Sequence, residues 1–146
     1  MKSLATLSLL VFALVFTSCD ETKKVIDVAG NVQLSGNYTV TNVDGTSMSA
    51  TKPTITFAAL SGRVSGNAGC NNYFGDYTTN VNTITFGELA VTKKMCGDKN
   101  AMKVEADFLK AMNKVGGYRI QDNVLTLYAK SDQSVLITAT KDKEEN

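Results

Sequence analysis

Few side chains in this chain could do chemistry, and their types exclude more than they suggest. It has 146 residues and no histidine. A Ser-His-Asp triad, a Cys-His pair and a His-ligated zinc centre are therefore ruled out. Three cysteines remain: Cys19, Cys70 and Cys96. Two thiolates without an imidazole leave a metal short of ligands, and a thiol without a neighbouring base is a poor nucleophile. No metal site and no cofactor is expected. Glycosidase chemistry needs two acids facing each other across a cleft. Asp76, Glu88, Glu105 and Asp122 are available, but they are scattered as acids are on any solvated surface. Gly62, Gly66, Gly69 and Gly75 fall in one stretch. No Gly-Lys-Ser and no helix start follow them, so the spacing of a phosphate cradle is missing and tight turns or a bulge account for them. The densest polar group is Arg63, Asn67, Asn71, Asn72, Tyr73 and Tyr77. One reading has the amides bonding local backbone to hold turns, which is the usual fate of such groups. The other gathers them into a small polar pocket whose amide and phenol groups orient a ligand.

The N-terminus is read apart from the fold. Met1-Lys2-Ser3 is a short basic start, and Leu4 to Ser18 is almost wholly apolar. That length falls short of the ~20 residues a membrane span takes and fits a signal-peptide core. Leu14-Val15-Phe16-Thr17-Ser18-Cys19 resembles a bacterial lipobox, with Phe16 where a branched residue is usual. Cys19 is accordingly the expected lipidation site. Secretion with cleavage elsewhere and a structural thiol at Cys19 are the rival readings. Each buried methylene of an acyl chain contributes about 0.8 kcal/mol, so several chains hold a small domain at a membrane. The whole chain carries 15 Lys and Arg against 14 Asp and Glu. So balanced a chain offers no electrostatic footprint for nucleic acid. The division expected is a signal peptide at 1–18, a lipidated N-terminus and tether at 19–33, one domain at 34–140 and a charged tail at 141–146.

The elements that must position the polar group are mostly strands. Period-two runs appear at Tyr38–Thr41, Thr54–Phe57, Arg63–Gly66, Tyr73–Thr78, Asn82–Phe86, Leu89–Met95, Val124–Tyr128 and Ser134–Thr140. Asp44-Gly45 is a hairpin signal. One segment breaks the pattern. Ala101, Val104, Phe108, Met112 and Val115 recur at spacings of three and four, which predicts a helix over about 99–115. Asp98 is its expected N-cap and Gly116-Gly117 its expected stop. Many short antiparallel strands hide their edges by closing into a barrel, with a sandwich as the alternative.

Pro53 to Thr140 resembles the META domain of the heat-shock HslJ family. The motif runs through Gly62-Arg63-Val64-Ser65-Gly66-Asn67-Ala68-Gly69-Cys70-Asn71-Asn72-Tyr73-Phe74-Gly75-Asp76-Tyr77. Ile84-Thr85-Phe86-Gly87 follows, then Thr92-Lys93-Lys94-Met95-Cys96, with one residue fewer before the cysteine than the family pattern. Glu105, Phe108 and Leu109 match the family's helix, and Leu125-Thr126-Leu127 its late strand. Tyr38 stands where members often carry Trp. The resemblance implies a mainly β fold: a small antiparallel, lipocalin-like barrel of about eight strands with one α-helix. It also implies envelope proteins, often lipoproteins, linked to stress and without established catalysis.

With Cys19 assigned to lipid, Cys70 and Cys96 form an even pair in an exported domain. That favours a disulfide, with buried thiols as the alternative. The expectation is a non-enzymatic, monomeric protein anchored by lipid in the cell envelope, at the outer rather than the inner membrane. Its role would be structural or interactive, with an envelope protein as partner. The alternative is a module that binds a small ligand in the barrel interior. About eight strands make a barrel only just wide enough to be filled by its own side chains.

Overall fold

The computed structural model describes residues 32–143. The expected signal segment, Cys19, most of the expected tether and the last residues of the expected tail lie outside the described residues. The described chain runs through ten strands and one long helix. In order they are β1 (Gly36–Val43), β2 (Thr46–Ser47), β3 (Thr54–Ala58), β4 (Arg63–Asn67), β5 (Asn72–Asn80), β6 (Thr83–Phe86), β7 (Ala90–Val91), α1 (Lys99–Met112), β8 (Val115–Gln121), β9 (Val124–Ala129) and β10 (Val135–Lys141).

Alternation dictates the strands. In β5 every second residue, from Tyr73 through Tyr77 to Thr79, is buried and the residues between are exposed. A strand with one wet face and one dry face must lie on a core. Eight such strands, in the order β1-β3-β4-β5-β6-β8-β9-β10, pair antiparallel, and β10 returns to β1 through Tyr38 opposite Lys141 and Val40 opposite Ala139. The result is a closed barrel with one helix, mainly β as expected. A bulge between Val40 and Asn42 bends β1 where it meets β10. Asp44 and Gly45 both take positive φ, 46° and 78°, as the primed hairpin turn between β1 and β2 requires.

The wall is weakest between β6 and β8. Their register rests on one pair, Thr83 opposite Gly117. β7 runs back along β5. The end of α1 lies beside this seam. The core fills the barrel with residues from every wall strand, among them Tyr38, Ile55, Val64, Tyr73, Ile84 and Leu127. Phe108, Ala111 and Met112 join them from α1.

Two expectations need correction. The helix ends at Met112, with Asn113 as its C-cap, rather than at Val115. Gly116 and Gly117 do not stop it: they lie in β8, a strand the periodicity missed. Gly116 is required there because a Cβ would come within 2.6 Å of the Lys130 Cβ on the turn after β9. Leu89–Met95 is likewise not a full strand. Only Ala90 and Val91 pair, outside the main path of the barrel. One strand gained and one lost leave the expected count intact. The N-cap stands as expected, with the Asp98 carboxylate accepting the Asn100 N–H at 2.8 Å.

Candidate functional site

The motif residues meet at the end of the barrel that holds the β4–β5 loop and α1. Asn71 is at their centre and only 5 % exposed. Its amide oxygen accepts from the Thr92 hydroxyl at 2.9 Å and the Lys94 N–H at 2.7 Å. Its Nδ2 donates to Glu105 Oε1 at 3.2 Å, to the Lys94 carbonyl at 3.3 Å and to Cys70 Sγ at 3.4 Å. Its backbone N–H donates to Glu105 Oε2 at 2.6 Å, and its carbonyl accepts from the Ala68 N–H. Every polar atom of Asn71 is therefore engaged. Glu105 grips it with both carboxylate oxygens and so ties α1 to the loop.

Around Asn71 the rest of the knot closes. Asn67 Nδ2 donates to Asn72 Oδ1 at 3.0 Å, while Asn67 Oδ1 accepts the Gly69 N–H at 2.9 Å. The Asn67 N–H donates to Thr54 Oγ1 at 3.0 Å, and the buried Tyr73 hydroxyl donates to the Thr54 carbonyl at 3.0 Å. Burial pushes the Tyr73 phenol far above its usual range, so it remains a donor. Cys70 and Cys96 stand at disulfide distance, with their Cα atoms 6.1 Å apart, fastening the 92–96 segment to the same loop. Two glycines are dictated by closeness. At Gly66 a Cβ would fall on the Thr54 carbonyl oxygen, and Gly69 holds φ +127° with the Ala101 carbonyl 3.0 Å from where a Cβ would stand.

The sequence-derived group is thus only partly assembled. Asn67, Asn71, Asn72 and Tyr73 come together through Thr54 and Thr92. Arg63 is exposed at the far end of β4, opposite Asp76, and Tyr77 points into the barrel from β5. Glu105, which in the sequence reads as one of several scattered acids and as a match to the family's helix, completes the site. A signal existed: it lies four residues after Ala101 and three before Phe108, on the apolar stripe of the helix, where a charge needs a partner. Among the described residues no three side chains of metal-binding type cluster.

A second polar group lies inside the barrel. Tyr38 on β1, Tyr77 on β5 and Tyr118 on β8 are 0 %, 3 % and 4 % exposed. Their hydroxyls have no hydrogen-bond partner among the described residues. Phe57 packs edge-on against both Tyr38 and Tyr77, with ring centroids 5.9 Å and 5.0 Å away. Burial pushes the Tyr77 phenol up to about 12, helped by the neighbouring Tyr118 and Tyr38. Burial also raises Tyr38 and Tyr118. All three are therefore neutral at ordinary pH.

A small closed antiparallel barrel, with one helix knotted to a Gly-Cys-Asn loop, defines a class of protein by fold and by motif. The META domain family model matches residues 31–142, and the chain belongs to that family. Among solved structures it is similar to an NMR structure of a protein from Burkholderia xenovorans. That likeness has 21 % identity and a TM-score of 0.60, over 82 % of this chain and 90 % of that one. A second NMR structure gives 21 % identity and a TM-score of 0.62 over 80 % and 97 %. These likenesses establish the fold. No curated protein matches the chain. Family membership points to a non-enzymatic protein of the envelope or of stress response.

Proposed function

We propose that this chain is a lipid-anchored protein of the bacterial envelope, held through Cys19 at the outer membrane, whose barrel is a rigid, non-catalytic interaction module. The observation that carries the reading is the saturation of the motif. Asn71, its densest polar residue, spends all its hydrogen-bonding capacity on Glu105, Thr92, Lys94, Ala68 and Cys70. A group so engaged holds a shape and has nothing left to offer a substrate. A covalent link between Cys70 and Cys96 suits an exported protein, because such bonds persist in oxidising compartments. Leu60, fully exposed on the β3–β4 turn, and Met95, beside Cys96, are large apolar side chains free to meet a partner.

Metabolic labelling of the full chain with an alkyne fatty acid tests the anchor. The expected result is label on the wild type, none on Cys19→Ala, and release of that variant from the membrane fraction. Label retained by Cys19→Ala, or a wild type found free of membranes, overturns the anchored reading. Photo-crosslinkers placed at Leu60 and Met95 test the module. Discrete crosslinked products from position 60 that disappear in Met95→Ser, or from position 95 that disappear in Leu60→Ser, support it, and a diffuse or absent pattern at both positions counts against it.

A further inference from the structure

We propose that the β6–β8 seam is the mouth of a binding site for a small, uncharged, largely apolar molecule whose hydrogen-bond-accepting oxygen is received by the hydroxyls of Tyr38, Tyr77 and Tyr118. This goes beyond the anchored-module reading and does not depend on Cys19.

Three observations converge. The first is the seam. β6 and β8 pair only at Thr83 and Gly117, and a groove of about 530 Å³ borders that seam. Small-molecule sites are commonly ~300–1,000 Å³. Its apolar lining is Phe86, Met112 and Val115, and its rim carries Lys130 and Gln133. Gln133 also borders a second hollow of about 300 Å³ lined in part by Tyr118.

The second is the path inward. Phe86 lines the groove and is stacked on Phe57, with ring centroids 6.3 Å apart. Phe57 in turn meets Tyr38 and Tyr77 edge-on. Phe86 is only half-buried and sits at the end of β6, opposite Tyr77. Its ring links the groove to Phe57 and through it to Tyr38 and Tyr77, and a turn of its side chain would open a way toward them.

The third is the orphaned chemistry. A buried hydroxyl without a partner is unfavourable, and three around one aromatic cluster call for a common explanation. Tyr73 is the internal control: equally buried, it donates to Thr54. Protonated phenols present O–H donors to an oxygen acceptor. Among the described residues no Asp, Glu, Lys or Arg is buried, and the Lys141 ammonium, 5.8 Å from the Tyr38 ring centroid, stands over the ring and not at the hydroxyl, so a charged guest would be desolvated without a buried partner. A neutral carbonyl compound with an apolar body meets both demands. The body takes the place of Phe86 against Phe57, and the oxygen reaches the phenols.

The test uses the full chain in lipid nanodiscs, carrying 3-fluorotyrosine, read by fluorine NMR. The probes are acetophenone and α-methylstyrene, which share a shape but differ in having an oxygen or a methylene at the polar position. The expected result is a saturable shift of the Tyr38, Tyr77 and Tyr118 signals with acetophenone and binding of α-methylstyrene about tenfold weaker, the worth of a buried hydrogen bond. Tyr77→Phe should lower acetophenone affinity about tenfold and leave α-methylstyrene unchanged. Phe86→Ala should speed probe exchange. Tyr38→Phe and Tyr118→Phe serve as parallel variants if one fails to fold, which thermal melting reports. Equal affinity for the two probes, shifts confined to other tyrosines, no saturable shift, or acetophenone binding indifferent to all three hydroxyl deletions would each overturn the proposal.

Discussion

Two buried polar regions share this small barrel and obey opposite rules. In the knot around Asn71, every donor and acceptor of the central residue is matched, and its partners come from three separate stretches: Ala68 and Cys70, Thr92 and Lys94, and Glu105. In the tyrosine cluster, three buried hydroxyls have no partner among the described residues. The first region is built to be permanent. A half-satisfied network is worse than an apolar core, so a polar group survives there only by being completed. The second is tolerated, since a phenol brings a large apolar ring that packs well whatever its hydroxyl does. The family motif is therefore a fold device, while the unsatisfied tyrosines, which the motif includes only in part, are where chemistry is left open.

Deletion sharpens the contrast most in the knot. Asn71→Ala strips partners from Glu105 Oε1, the Thr92 hydroxyl, the Lys94 N–H and the Lys94 carbonyl at once, while the backbone N–H bond to Glu105 Oε2 remains. A loss of about 3–4 kcal/mol is expected, because each stranded buried group costs ~1–3 kcal/mol and water recovers part of it. Denaturant unfolding measures it, and a loss below ~1 kcal/mol would mean the knot is ornamental. Next comes the sulfur pair. Reducing a bond between Cys70 and Cys96, separated by 26 residues, should cost about 3 kcal/mol in the chain-entropy account. Melting with and without reductant reports it, with Cys70→Ala/Cys96→Ala as the reductant-insensitive reference. Smaller again is Glu105→Gln, which keeps the fork but exchanges one acceptor for a donor facing the Asn71 N–H or Nδ2. About 1–2 kcal/mol is expected, and the effect should shrink without vanishing in an Asn71→Ala background, where the backbone N–H of residue 71 still meets Glu105.

How far the sequence foretold these regions follows from the range of their interactions. Strand alternation and the Asp98 cap are local patterns, and the chain carries them openly. The end of the helix is not local. Val115 continues the helical spacing, and Gly116-Gly117 looks like a stop, yet both glycines serve a strand pressed against Lys130. What decides their conformation lies on the neighbouring β9 side, beyond any short window. The knot shows the same limit. That Asn67, Asn71 and Asn72 would hold turns was legible, and Asn67 does so over two residues. That Asn71 would reach Glu105, 34 residues away, was not, although a carboxylate on an apolar helical stripe was a sign that some partner existed. The tyrosines were visible as types only. Their meeting is a property of barrel closure, which brings β1, β5 and β8 to one interior.

The smallest expected effect lies in the tyrosine cluster, and its sign is the sharpest part of the comparison. Tyr77→Phe removes a hydroxyl with no partner while keeping the ring on Phe57. Stability at neutral pH should be unchanged or higher by up to ~1 kcal/mol, against the large losses in the knot. Alkali separates this from a merely silent substitution. The Tyr77 phenol sits at about 12 in the folded chain and at the ordinary phenol value of 10.0 when unfolded. Below pH ~10 both states hold the proton and the shift has no pH dependence. Above that the unfolded chain releases it first, so stability falls as pH rises from the unfolded value through the folded one. Tyr38 and Tyr118, also raised by burial, add to the same decline. Wild type should therefore lose stability steeply over this window, and Tyr77→Phe less steeply, with one fewer proton lost on unfolding. Chemical denaturation at a series of pH values, with phenolate absorbance recorded in parallel, measures both slopes. Equal slopes would show that Tyr77 is hydrated in the native state, and the contrast between the two regions would then disappear.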